Sequence, residues 1–347
     1  MIPTALREML LRGAAIPAHP LALDAEGRFD ERHMRALTRY YLACGADGLA
    51  VGVHTTQFAI REAGLLRPVL ACVAETARAE SARPVVLVAG ICGDTRQAVA
   101  EAELARSLGY HAGLLSLAAL RGRTEAELVE HARAVGTVLP LVGFYLQPAV
   151  GGLPLPRSFW RGFFALEAAI AVKIAPFDRY ATLDVLEGLI DAGRESEVAL
   201  LTGNDDHIVL DLLVPFRLRR EGREVELRIR GGLLGHWAVW TRPSLELYRR
   251  CRAAALAGEA PAELLARAAP VTAMNAALFD AANGFRGCIA GIQTVLWRQG
   301  LLASPRCLDP AERLSPGQAE EIERVRRLWP ELTDDAFVRE HLARWLA

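Results

Sequence analysis

Lys173 stands apart in this sequence by its rarity. Of 40 lysine and arginine residues it is the single lysine, where average usage gives roughly twenty in a chain of this length. A GC-rich coding bias accounts for arginine wherever either cation serves on a surface. The surviving lysine marks a place where arginine would not serve, because arginine is always charged whereas lysine can lose its proton and become a nucleophile. Its neighbours on either side are apolar, 168-AAIAV before it and 174-IAPF after it. Dry surroundings disfavour the ammonium and lower its pKa. A neutral amine in such a place has one common use, condensation with a ketone or 2-oxo acid to an imine. The protonated imine then acts as an electron sink for the adjacent C–C bond.

Such chemistry needs a proton shuttle and a grip on the substrate carboxylate. Candidates of the right types follow short apolar runs: His19, then 54-HTTQ, Tyr145 and Gln147, 203-GNDDH and His236. The Tyr145 hydroxyl is expected to move protons. The backbone N–H groups of His54, Thr55 and Thr56 are expected to cradle a carboxylate. Gly203 and Asn204 join His54 and Thr56 as expected substrate contacts, although Asn204 and Asp205 also read as plain turn formers. His236 and Trp237 are candidates for a pocket wall. A rival reading makes His54, His207, His236 and Asp205 metal ligands of a hydrolase. No H-x-H or H-E-x-x-H spacing supports it, so neither metal nor cofactor is expected.

These residues need a scaffold that gathers strand ends. Apolar runs at 13–18, 48–53, 85–90, 113–118, 141–146, 168–175, 198–203 and 231–235 begin 27 to 37 residues apart, about one strand-helix unit each. Runs without alternation suit strands buried on both faces, as in a parallel sheet. Stretches of helical period lie between them. Asp94 and Thr124 are placed as N-caps, and Gly109 and Gly136 as stops. Eight such units predict a (β/α)8 TIM barrel over residues 1–256, with chemistry at the C-terminal strand ends. Residues 257–347 read as a helical appendage. The charged stretch 219–232 is expected to interrupt the approach to the eighth strand, with a hairpin-like insertion.

Composition removes other classes. A net charge of −1 without a charged block argues against nucleic acid or an anionic membrane as partner. No apolar run reaches the ~18 residues of a membrane span. The opening MIPTALREMLLRG lacks the pattern of a signal peptide. Six scattered cysteines read as reduced thiols and core fillers in a cytoplasmic protein.

Taken in order, several segments resemble the dihydrodipicolinate synthase / N-acetylneuraminate lyase family of class I, Schiff-base-forming aldolases. The stretch 19-HPLALDAEGRFD is similar to that family's opening strand and loop. Its G-x-D-G-x-x-x-x-G-T-T-G-E-F stretch resembles 44-CGADGLAVGVHTTQF. Its Y-N-x-P-x-x-x-G segment resembles 143-GFYLQPAVGG, and its S-G-x-D-D turn resembles 201-LTGNDDH. Lys173 falls where the family's Schiff-base lysine belongs. The resemblance covers about residues 10–300 and implies a homodimer or homotetramer acting on pyruvate or a related 2-oxo acid. It also implies catalytic roles for Lys173, Tyr145 and Thr55.

The departures are specific. His54-Thr55-Thr56-Gln57 replaces T-T-G-E. Leu120 stands where the family has an interface tyrosine, and Val150 where a true synthase has the arginine that grips its second substrate. A Schiff-base lyase or synthase with another substrate is therefore expected ahead of a genuine 4-hydroxy-tetrahydrodipicolinate synthase. A barrel that only binds 2-oxo acids is the non-catalytic alternative.

Overall fold

The computed structural model describes residues 2–347. Eight parallel strands form one sheet: β1 (Ala15–Pro17), β2 (Gly48–Val51), β3 (Val86–Ile91), β4 (Ala112–Leu115), β5 (Leu141–Leu146), β6 (Ala169–Ala175), β7 (Ala199–Thr202) and β10 (Gly231–Leu234). They are hydrogen-bonded in the order β1-β10-β7-β6-β5-β4-β3-β2. A parallel bridge between Ala18 and Ala50 brings the first strand back to the second, and the His19 N–H donates to the Ala50 carbonyl at 2.8 Å. The sheet is thus a TIM barrel, with helices between its strands and further helices at its C-terminal end.

The pleat divides the side chains into two cores. Ile16, Ala50, Val88, Leu114, Val142 and Leu201 belong to an inner cluster that fills the barrel. Their sequence neighbours on the same strands, such as Val51, Leu141, Val172 and Leu200, pack outward against the helices. The N-terminal helix Thr4–Arg12 adds Leu6 and Leu10 to the inner cluster. It packs against the end of the barrel from which the strands start.

Local signals act largely as expected. Asp94 caps its helix by accepting the Gln97 N–H at 2.9 Å, and Thr124 forms a capping box with Glu127. Gly109 lies just past its helix at φ +84°, a left-handed turn that glycine takes without strain. Gly136 differs. It is the last residue of the helix Glu125–Gly136, and a Cβ there would sit 2.7 Å from the Ala168 Cβ. Close packing explains that glycine, rather than a stop.

The charged stretch is an antiparallel hairpin of β8 (Phe216–Arg220) and β9 (Arg223–Leu227). Glu221 and Gly222 both adopt positive φ at its tip, the two-residue turn that matches strand twist. The last barrel helix is Thr241–Leu256, followed by Ala262–Leu265, Ala268–Leu278, Cys288–Arg298, Gln318–Leu328 and Asp335–Leu346. These helices share the barrel's outer core. The Gln293 side chain donates to the Leu21 carbonyl at 2.8 Å, and the Tyr40 hydroxyl to Asp334 at 2.6 Å. No helix among the described residues is long and apolar enough to cross a membrane.

Candidate active site

Alternation along β6 points Ala171, Lys173 and Ala175 into the barrel and Val172 and Ile174 out of it. Lys173 therefore faces a narrow cleft at the C-terminal end of the strands. Its stem needs room across the sheet, and Gly203 supplies it. A Cβ at Gly203 would lie 2.6 Å from the Lys173 Cε. The Gly203 N–H is fixed by the Ile174 carbonyl at 2.6 Å, so the glycine cannot simply move away. The Lys173 ammonium stands 4.7 Å from the centre of the Phe144 ring, which is the residue paired with it on β5.

Asp205 also lines this cleft and is buried. One carboxylate oxygen accepts the His236 backbone N–H at 2.9 Å. Burial lowers the Lys173 amine to about 8, against the opposing pull of Asp205. Burial likewise raises the Asp205 carboxyl to about 7, against the pull of Lys173 and the bond from His236. Each group thus holds its partner nearer the charged form while the dry cleft pushes both toward neutrality. A basic amine and a proton-accepting carboxylate, both titrating near neutral pH and facing one cavity, are equipped for addition to a carbonyl and for moving the protons that addition displaces.

Of the other residues expected from the sequence, His54 and Thr55 reach the cleft. Burial, with the Lys173 charge, lowers the His54 imidazole to about 4, so it is a neutral hydrogen-bonding group. The Thr55 hydroxyl lies 3.4 Å from the His19 carbonyl. Thr56 points away. Its hydroxyl donates to the His19 carbonyl at 2.6 Å and accepts the Gly52 N–H at 2.9 Å, which fixes the strand-2 turn. The Thr56 N–H is already bound to Val53 O at 3.0 Å. That leaves a cradle at this turn to the amides of His54 and Thr55.

Tyr145 is not among the residues that line the cleft. The alternation that brings Phe144 inward turns Tyr145 outward. Its ring lies 5.6 Å from that of Trp160, and its hydroxyl accepts the Leu155 N–H at 3.2 Å. The barrel-facing residue at this level of β5 is a phenylalanine without a hydroxyl. Asn204 is also structural in its contacts. It accepts the Phe177 N–H at 3.0 Å and donates to Asp211 at 3.0 Å, locking the loop after β7 to the loop after β6. His19 is held by Pro20 and Thr38. His207 leans toward Asp211, 3.4 Å away. Among the described residues, no three histidine, cysteine or carboxylate side chains converge as metal ligands.

Three cleft residues come from beyond the barrel: Phe279, Phe285 and Cys288. No sequence motif marks them. Gln57, at φ +69°, is bonded to the same region, its side-chain oxygen accepting the Leu308 N–H at 2.7 Å. The C-terminal helices therefore complete the cleft as well as covering the barrel.

No family model matches the chain. A 4-hydroxy-tetrahydrodipicolinate synthase of Anaeromyxobacter dehalogenans (strain 2CP-C) is 28% identical over 187 residues, which span 52% of this chain and 59% of that protein. The fold matches YagE of E. coli K12, a prophage protein of the dihydrodipicolinic acid synthase family solved with pyruvate, at TM-score 0.73 and 17% identity, covering 92% of this chain and 98% of that one. The dihydrodipicolinate synthase of Acinetobacter baumannii, also solved with pyruvate, gives TM-score 0.73 at 16% identity, over 91% and 98% of the two chains. CdNal of Clostridium difficile, solved with mannosamine, gives 0.69 at 17% identity, over 91% and 99%.

Proposed function

We propose that this chain, a divergent member of the dihydrodipicolinate synthase / N-acetylneuraminate lyase family, forms an imine between Lys173 and pyruvate or a related 2-oxo acid and uses it to make or break a C–C bond. The observation that carries this reading is the placement of the chain's one lysine. Its amine is buried, has no hydrogen-bond or ion-pair partner among the described residues, and faces a cleft shared with a buried carboxylate.

In this reading the neutral Lys173 amine adds to C2 of the 2-oxo acid, and the carbonyl oxygen takes a proton to become a hydroxyl. Loss of that hydroxyl as water leaves the protonated imine. Removal of a proton from C3 then gives the enamine, the carbon nucleophile of the condensation. Asp205 and Thr55 are the cleft groups available for these transfers, and Tyr145 is not. The free amides of the strand-2 turn and the neutral His54 ring are suited to hold the carboxylate. Val150 lines the cleft where a true synthase would carry an arginine. A substrate other than that of the lysine-pathway synthase is therefore the reading favoured.

Exchange at C3 tests this without knowledge of the second substrate. Pyruvate incubated with the protein in D2O at neutral pD should lose its methyl proton signal by NMR many times faster than without protein, since each enamine formed is reprotonated from solvent. Exchange no faster than the background would leave a barrel that binds without forming the enamine.

A further inference from the structure

Phe177 and Phe285 both adopt left-handed backbone, at φ +54° and +65°. Bulky side chains rarely occupy that region, and such strain persists only where surrounding bonds enforce it. Here they do. The Phe177 N–H is held by the buried Asn204 side chain at 3.0 Å. The Phe285 N–H is held by the Asp280 carbonyl at 3.0 Å. Asp280 in turn accepts from Asn283, Gly287 and Ser315. Two independently fastened loops, one from the barrel and one from the C-terminal helices, thus meet edge to face, with ring centres 5.7 Å apart. Both rings line the cleft that holds Lys173.

The rest of that cleft agrees with them. Phe144, Leu146, Val150 and Phe279 line it beside the uncharged His54, Thr55 and Gln147, and no arginine does. Its charged side chains are Lys173 and Asp205, both already assigned to the reacting carbon. Nothing remains to balance a second carboxylate or phosphate, whose uncompensated burial would be costly.

We infer that the carbonyl partner of the Lys173 enamine is an aldehyde bearing an apolar, planar group, packed against the Phe177–Phe285 pair. This rests on the imine reading above and narrows it to a substrate class. C3 of the enamine attacks the aldehyde carbon and forms the new C–C bond. The aldehyde oxygen takes a proton and becomes a hydroxyl. Water then hydrolyses the imine, freeing Lys173 and a 4-hydroxy-2-oxo acid with an apolar group on C4. Cleavage is the same sequence reversed.

The test pairs pyruvate with benzaldehyde and, separately, with 4-carboxybenzaldehyde, following the hydroxy-oxo acid by mass spectrometry and pyruvate C3 exchange by NMR. The uncharged aldehyde should be used with a kcat/KM at least about 10-fold higher. Phe177→Ala and Phe285→Ala should each raise KM for benzaldehyde roughly 10-fold or more, a larger factor than either changes the KM for pyruvate in C3 exchange. Rapid exchange with equal use of the two aldehydes, or with benzaldehyde KM unchanged in folded variants, would overturn the aromatic contact while the imine stands. Absence of exchange would overturn both.

Discussion

Replacing Lys173 by arginine abolishes C3 exchange and lowers turnover by roughly 10⁴-fold or more, the scale seen when a covalent nucleophile is removed. Arginine keeps its proton at every accessible pH, so it cannot add to a carbonyl. It is also larger than lysine in a space where Gly203 already lies close against the Lys173 stem. Lys173→Met is therefore the companion variant, matching the stem in length without a nitrogen. It should be equally inactive and no less stable. The sign follows from linkage. The folded amine titrates near 8 against 10.5 for an unburied lysine, so the native state holds that proton less tightly than the unfolded chain. Below about pH 8 the wild type carries this cost and the methionine variant does not. Between about 8 and 10.5 wild-type stability recovers as pH rises. Thermal midpoints of the two proteins across that range check the claim, and activity in either variant would remove the imine from the mechanism.

Asp205→Asn carries the second large effect, a fall of roughly 10²- to 10⁴-fold in turnover if its carboxylate moves protons. Asparagine can still accept the His236 N–H, so the loop should keep its shape. The pH profile separates proton transfer from mere positioning. In the wild type, kcat/KM should rise with pH as the coupled pair loses a proton between about 7 and 8. Asp205 raises the Lys173 pKa, so its removal lets the amine deprotonate more easily. The rising limb of Asp205→Asn must then move to lower pH, even as its plateau falls. A lower plateau with an unmoved limb would mean that the two groups do not interact electrostatically. An undiminished plateau would assign proton transfer elsewhere. Tyr145→Phe is the contrast: it loses one bond to the Leu155 N–H and should leave turnover within about 2-fold, with stability lower by about 1 kcal/mol.

The barrel was legible because its signals are repetitive. Eight apolar runs at strand-helix spacing admit few arrangements, and Lys173 drew notice by being the sole lysine. What resisted reading was direction. The run 141-LVGFYL is apolar at every position, so no polar alternation shows whether Phe144 or Tyr145 faces the axis. Matching Pro148 to a motif favours Tyr145, while pairing with β6 sets Phe144 against Lys173. In 203-GNDDH the neighbours are chemically alike. Only the register of β7 sends Gly203 and Asp205 to the cleft and leaves Asn204 to fasten Phe177. Thr55 and Thr56 are a similar adjacent pair, one lining the cleft and one tying the turn. Phe279 and Phe285 were beyond reach of any local signal, since aromatic residues in apolar helical segments read as core until the packing of the helices on the barrel is known.

Reduction of the protein with borohydride in the presence of pyruvate, followed by peptide mass spectrometry, decides whether Lys173 is the imine-forming residue. With one lysine in the chain, a reduced adduct has only that side chain and the N-terminal amine to occupy. The adduct should appear on the peptide containing Lys173, require pyruvate, and be absent from Lys173→Arg. A protein that stays unmodified there at saturating pyruvate, or is modified only at its N-terminus, would contradict the imine.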